Sequence, residues 1–205
     1  MTRAGRMATI GAVCAGTFAG LTSFVLADAP VTGPDRRVQA YAVAHRTPWL
    51  NVLLEAWTRL GSTTVLVPVL LAAGVLLWWR RRDLYTVASL WAALGGAMVL
   101  YQVLKVTIGR ARPPVAQMIT HPGGYAYPSG HATQAVAVWG LLAALAVAGR
   151  GRRARALLLG AAGLVIALIG ISRVYLGVHW LTDVVGGYLL GGALLALLLA
   201  LRGER

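Results

Sequence analysis

Long apolar stretches alternate with short polar connectors along this chain. Six of the stretches approach the roughly 20 residues (about 17–25) that a helix needs to cross a bilayer. They cover residues 8–27, 63–79, 84–104, 132–148, 156–171 and 181–201. The fifth is short, so its ends are expected to include Ser172 and Arg173 at the interface. Trp78, Trp79 and Trp180 stand near span ends, where indole rings anchor at the lipid–water boundary. Residues 28–62 carry a mixed pattern instead. Pro48 suits a first helical position, and Trp49, Leu50, Leu53, Leu54, Trp57 and Leu60 recur at helical spacing. One or two short helices lying on or near the outer surface follow from that pattern. No internal repeat or low-complexity linker divides the chain. Residues 1–205 therefore read as one all-α domain, a six-transmembrane-helix bundle with short amphipathic helices in the first extracytoplasmic segment.

Composition agrees. Hydrophobic residues make up 58% of the chain and charged ones 12%, whereas an ordinary soluble domain is about half apolar and about a quarter charged. The net charge of +13 raises the question of nucleic acid. However, Arg80, Arg81, Arg82, Arg150, Arg152, Arg153 and Arg155 sit in connectors between spans, as topology determinants facing anionic lipid do. No nucleic-acid partner is expected. The first run, with Arg3 and Arg6 before it and Ala27, Asp28 and Ala29 after it, has the flanks of a cleaved signal. Its core exceeds the usual 7–15 residues or so, and Pro30 would follow the cut, so a retained span is expected. Cys14 is the single cysteine, which rules out an intrachain disulfide and a cysteine metal cluster.

With a cytoplasmic N-terminus, that side holds Arg3, Arg6, Arg80–82, Arg150, Arg152, Arg153, Arg155, Arg202 and Arg205. The other side holds Arg36, Arg37, Arg46, Arg59, Lys105, Arg110, Arg112 and Arg173. The bias sharpens if Lys105, Arg112 and Arg173 have a chemical task, leaving five outer charges with none. Both termini then face the cytoplasm of a multi-pass protein in the plasma (inner) membrane.

Three polar islands interrupt the apolar rhythm: "KVTIGRARPP" from Lys105, "YPSGH" from Tyr127 and "SRVYLGVHWLTD" from Ser172. The first follows span three, the second precedes span four and the third joins spans five and six. By parity all three lie on one membrane face, the extracytoplasmic one. His179 and Asp183, four residues apart, share a helix face. A carboxylate there fixes the imidazole tautomer and leaves one nitrogen lone pair free, the base–orienter half of a catalytic triad with histidine available as nucleophile. A structural His–Asp pair and a snorkelling Lys105 are the plain alternatives for each feature taken alone. His131, His179 and Asp183 also suggest a metal site, but Lys105, Arg112 and Arg173 in the same islands repel a cation. The set suits an anion, and arginine forks with a lysine point charge match phosphate oxygens. Ser129, Gly130 and the His131 amide at the start of span four add donors aligned with a helix dipole.

In order and spacing the islands resemble the signature of the type 2 phosphatidic acid phosphatase superfamily: K-x6-R-P as Lys105 to Arg112-Pro113, P-S-G-H as Pro128 to His131, and S-R-x5-H-x3-D as Ser172-Arg173, His179 and Asp183. The resemblance implies a metal- and cofactor-independent, two-step phosphoryl transfer. His179 would be the nucleophile, Asp183 its orienter and His131 the general acid and then base. Lys105, Arg112, Ser129, Gly130 and Arg173 would hold the equatorial oxygens. The implied function is an integral membrane phosphatase for a lipid phosphate or diphosphate, with phosphatidic acid, phosphatidylglycerophosphate and polyprenyl diphosphate all open. A lipid phosphotransferase using the same phosphohistidine is the nearest rival. An anion or lipid transporter is a weaker one, because the charges stand at span ends and not at the midplane. Vanadium-dependent haloperoxidases share the signature but resemble soluble proteins, which six spans contradict. His45 and His121 receive no chemical role, and Gly187 and Gly191 suit close helix packing. Oligomeric state is left open.

Overall fold

In a computed structural model the chain is described over residues 1–27 and 32–203. The candidate cleavage stretch at 28–30 and Arg205 lie outside the described residues. Among the described residues five helices are long and apolar enough to cross a membrane: α1 (Arg3–Leu26), α4 (Thr63–Arg81), α5 (Leu84–Ile108), α8 (Arg152–Tyr175) and α9 (Leu181–Gly203). Between the first two lie α2 (Thr32–Ala44) and α3 (Pro48–Thr58). Pro48 opens α3 as its position in the sequence suggests, since a missing N–H costs nothing in the first turn.

The fourth apolar stretch is built differently. It starts two residues before the predicted span, as α6 (Gly130–Gln134), continues as π-helix over Ala135–Trp139 and ends as α7 (Gly140–Ala146). At 17 residues it falls short of the other five. Periodicity of apolar residues could not show the π segment, because Ala135, Ala137, Val138 and Leu141 are buried on several sides and leave no polar stripe to reveal the phase. The α1 and α8 helices also run several residues beyond their predicted apolar limits, carrying Arg3, Arg6, Arg152 and Arg153 at their ends.

The central core forms where α4, α5 and the fourth segment meet, from Leu66, Leu70, Leu90, Ala93, Leu94, Val138 and Leu141. Outside it the polarity is inverted relative to a soluble domain. Trp79, Val99, Leu157, Leu164 and Leu197 are exposed, as lipid-facing residues should be. The α9 helix is the hub. Along α1 it touches Ala196 to Gly11 and Gly192 to Cys14. Along α6 it comes closer still, because a Cβ at Gly187 would lie 2.6 Å from the Ser129 carbonyl oxygen and one at Gly191 2.5 Å from that of Thr133. The small residues at this pair of positions therefore set the helix separation, as expected of a small-xxx-small seam. Gly191→Val is expected to cost about 1–3 kcal/mol through overpacking, read as a lower thermal unfolding temperature in detergent. Gly95→Val is the control, since a Cβ there meets nothing within 4 Å.

Candidate active site

The three polar islands, separated by up to 78 positions between Lys105 and Asp183, converge at one end of the bundle. Lys105, Arg112, Gly130, His131, Arg173 and His179 line a single cavity of about 150 Å³ together with Tyr101, Gln134 and Pro122. Asp183 stands behind His179. Ser129 is fully buried beside Gly130 but is not part of the lining.

Each island reaches the cavity for a local reason. Lys105 occupies the last turn of α5, which Gly109 ends in the left-handed conformation (φ 65°), its N–H on the Lys105 carbonyl. Buried to 8% exposure, the ammonium donates to the carbonyls of Tyr125 (2.5 Å) and Ala126 (3.2 Å). These carbonyls satisfy it in place of water and hold it beside the cavity, so it is more than a snorkelling anchor. Beyond the turn, Arg112 is clamped by the Gly124 (2.9 Å), Gly123 (3.1 Å) and Val178 (2.7 Å) carbonyls. Arg173, near the end of α8, donates through Nη1 to Thr58 Oγ1 at 3.0 Å, while its buried Nε has no hydrogen-bond partner among the described residues. The Ser129 hydroxyl is likewise unpartnered among them, although the residue caps α6. Buried donors left open in this way are what an anion would complete.

Gly130 has a further use beside the expected one. A Cβ there would come 3.0 Å from the Tyr101 ring, so the missing side chain admits Tyr101 as well as freeing the backbone. The turn itself is tied to α1, since Tyr127 Oη bonds Thr22 Oγ1 at 2.9 Å and its ring stacks on Phe18.

His179 lies in the turn between α8 and α9. Gly177 makes that turn possible, with φ 79° and a Cβ position already filled by the Gln117 carbonyl. The ring is 2% exposed, with Nδ1 3.3 Å from Asp183 Oδ2 and Nε2 3.3 Å from Arg112 Nη1. Guanidinium can only donate, so Nε2 accepts and the proton sits on Nδ1, facing the carboxylate. The lone pair then points toward Arg112 and the cavity. Burial first, then Arg173, Lys105 and Arg112, hold the imidazole well below its ordinary value, so it is neutral at pH 7. This sense is the one a nucleophile requires.

Besides Thr58, two residues of this site escaped the motif reading. Arg110 bonds Asp183 Oδ1 through Nη1 and Asp35 Oδ2 through Nη2 at 2.7 Å. Asp35, from α2, also receives the Thr182 N–H (2.9 Å) and hydroxyl (2.7 Å), while Asp183 Oδ2 receives the Trp180 N–H (2.8 Å). Every carboxylate oxygen behind His179 is thus engaged, and Arg110 offsets the charge of Asp183. Lys105, Arg112 and Arg173 then face the cavity with no carboxylate within ion-pair distance among the described residues. A trace of Arg110 existed in the sequence as a second arginine two positions before Arg112, but its partner is 75 positions away.

The count of idle outer charges is corrected accordingly. Arg110 belongs to this network, and Arg46 holds the Tyr175 (2.7 and 3.0 Å) and Gln117 (2.8 Å) carbonyls. His45 stacks on Tyr41, and exposed His121 is not part of the cavity wall.

Arg110→Gln is expected to lower kcat by roughly 10²-fold through misplacement of the Asp183–His179 pair, with KM little changed. Thermal unfolding should show a loss on the order of 3–5 kcal/mol from two uncompensated buried carboxylates. An unchanged kcat would show that the pair is positioned without Arg110.

Sequence and structure comparisons place these features among known proteins. The family model described as the PAP2 superfamily matches residues 86–205. The chain is 34% identical over 163 residues to phosphatidylglycerophosphatase B of Bacillus subtilis (strain 168), covering 78% of this chain and 79% of that one. It is 32% identical over 148 residues to an undecaprenyl-diphosphatase of Sulfolobus acidocaldarius, covering 69% and 66%. Among solved structures it resembles the PAP2-type phosphatidylglycerolphosphate phosphatase of Bacillus subtilis with a TM-score of 0.88, at 30% identity over 95% of this chain and 96% of that one. It also resembles Aquifex aeolicus LpxE, with a TM-score of 0.59 at 26% identity over 83% and 94%.

Proposed function

This chain belongs to the PAP2 superfamily and is a metal-independent, multi-pass membrane lipid phosphatase; from that premise we propose that it removes the terminal phosphate of phosphatidylglycerophosphate, at the extracytoplasmic face, through a phosphohistidine on His179. The observation that carries the reading is the convergence of three cations and the Nε2 lone pair of a neutral, carboxylate-backed histidine on one small cavity. That cavity has room for about five waters at ~30 Å³ each, enough for a phosphoryl group while the lipid tail stays outside. The named substrate follows the higher-identity relative with the fuller coverage of both chains. The undecaprenyl-diphosphatase likeness supports a second reading, in which a polyprenyl diphosphate loses its outer phosphate at the same seat.

In the proposed reaction Lys105, Arg112 and Arg173, with the Gly130 and His131 amides, hold the equatorial oxygens, and Ser129 stands beside them at the α6 N-cap. His179 Nε2 attacks phosphorus in line, and the bond to the departing lipid oxygen breaks as His131 protonates that oxygen. His131 then takes a proton from water, whose oxygen attacks the phosphohistidine, and inorganic phosphate leaves with His179 neutral again. Charge spread over three oxygens makes positioning and electrostatic stabilisation the main terms, and the acid–base role of His131 adds about 10²–10⁴-fold. The fourth apolar segment is read as a sixth, shorter span. At about 1.5 Å rise per residue it measures roughly 25 Å, which sets its N-terminus, and the seat, slightly below the membrane surface. The bias of basic residues toward the other face supports the orientation, with both termini cytoplasmic.

The test is phosphate release in detergent from phosphatidylglycerophosphate, phosphatidic acid and undecaprenyl diphosphate, with His179→Ala as blank. Phosphatidylglycerophosphate is expected to give the highest kcat/KM, and a molar excess of chelator is expected to change it less than twofold. Release without any acceptor lipid would distinguish hydrolysis from phosphotransfer. A clear preference for the diphosphate would favour the second reading.

A further inference from the structure

A second cationic cavity lies at the far end of the bundle. Thr86, on its wall, and Lys105, in the phosphate seat, both belong to α5 and are separated by about 28 Å at ~1.5 Å per residue. This cavity, about 470 Å³, is the larger. Arg3 of α1, Arg80 of α4, Arg150 of the turn after α7 and Arg202 of α9 line it. Each comes from a different segment, so the cluster exists only in the folded chain. None of the four has a carboxylate within ion-pair distance among the described residues. Asp83 is close enough to act on Arg202 electrostatically, but its carboxylate is turned to the start of α5, on the Thr86 N–H (2.9 Å) and hydroxyl. Arg202 is half-buried, its guanidinium 5.4 Å from the Tyr85 ring centroid, and its buried Nη1 has no hydrogen-bond partner among the described residues.

Arg3, Arg80 and Arg150 are exposed and Arg202 is half-buried, yet all four line the same concavity. The rest of its wall is apolar, with Leu76, Leu77, Leu142, Leu145 and Leu199. A free anion would satisfy the arginines and leave this surface bare. An amphiphile satisfies both.

We infer that this cavity binds an anionic phospholipid, its phosphate on Arg3, Arg80, Arg150 and Arg202 and the first carbons of its chain against the leucine wall, at a site separate from the hydrolytic one. Bridging α1, α4, α7 and α9, the lipid holds together the ends of segments whose like charges otherwise repel. Phosphate diesters and monoesters both fit, since guanidinium forks read the anionic oxygens.

The experiment uses the full chain in a neutral detergent with three separate probes: phosphatidylglycerol, phosphatidylcholine with the same acyl chains, and sodium phosphate. Native mass spectrometry reads retained lipid, and thermal unfolding reads stabilisation, which binding to the folded state alone must produce. Phosphatidylglycerol is expected to be retained and to raise the unfolding temperature, and the other two probes to do neither. The double variant Arg150→Gln/Arg202→Gln should bind phosphatidylglycerol at least roughly tenfold more weakly, given the usual gain per basic residue near anionic lipid. Its hydrolytic turnover should stay within twofold of wild type. Arg150→Gln alone, at an exposed turn position where folding is not at risk, should weaken binding several-fold. Lys105→Ala should bind phosphatidylglycerol as wild type does. Equal retention of both lipids would overturn the inference, as would undiminished binding by the double variant. Loss of binding on Lys105→Ala would assign the lipid to the hydrolytic seat instead. Stabilisation by sodium phosphate alone, dependent on Arg202, would make the cavity a free-anion site and equally end the lipid assignment.

Discussion

Replacing His179 by Ala is expected to reduce phosphate release to the uncatalysed background while the protein remains folded and membrane-inserted. The methyl group removes the carboxylate-backed imidazole whose Nε2 lone pair faces Arg112 and the cavity, and His131, the other imidazole in the cavity wall, has no carboxylate within ion-pair distance among the described residues to set its tautomer. Lys105, Arg112 and Arg173 hold ammonium or guanidinium groups with no lone pair to offer, and Ser129 lies outside the cavity wall. The substrate should still bind, because the cations that hold its oxygens are untouched and the loss of a half-liganded Arg112 contact frees a donor. The measurement is therefore double: turnover lost, and inorganic phosphate affinity kept within a few-fold. Turnover within tenfold of wild type would reject His179 as nucleophile. Burial and three cationic neighbours keep this imidazole neutral, and that supports the nucleophilic role.

Asp183→Asn is expected to cost kcat about 10⁴-fold, the size of the corresponding change in the serine-protease triad. The reason is tautomeric. The Asp183 carboxylate accepts from His179 Nδ1, from the Trp180 N–H and from Arg110. An amide has one accepting and one donating end. Arg110 can only donate, so the amide oxygen stays on Arg110 and the NH₂ takes the Oδ2 position, where it faces Nδ1 and drives the imidazole proton onto Nε2, which removes the attacking lone pair. Stability should fall less than for Arg110→Gln, because Arg110 keeps Asp35 as a partner at 2.7 Å. A kcat loss below tenfold, with the variant folded, would show that the carboxylate does not set the tautomer. Read together, the two variants separate chemistry from architecture: His179→Ala removes the proposed nucleophile, whereas Asp183→Asn leaves it in place with the wrong proton.

Much of this site was legible because its residues come in short motifs whose local spacing survives folding. Lys105 and Arg112 flank one helix end, Ser129 to His131 form one turn, and His179 and Asp183 sit four apart. Parity of the apolar stretches then put all three on one face, and six of the eight residues so chosen line one cavity. Thr58, Asp35 and Arg110 were not legible. Thr58 positions Arg173 from 115 residues away, and Asp35 positions Arg110 from 75. Each looks like an ordinary helix or loop residue in isolation, and nothing local marks it as a partner. The π segment over Ala135–Trp139 was hidden for a different reason, since a helix buried on several sides has no polar face to betray a change of pitch.

What the amino-acid sequence determined unaided was everything that depends on short-range order: which stretches are apolar enough for lipid, which ends they turn at, and which side chains share a turn or a helix face. Tertiary structure alone decided which distant carboxylate neutralises Arg110, how closely α9 approaches α6, and that four arginines from four segments face one cavity. Such pairings rest on the separation and angle of packed helices, which arise from many weak contacts summed over the whole bundle, and no short window of residues contains them.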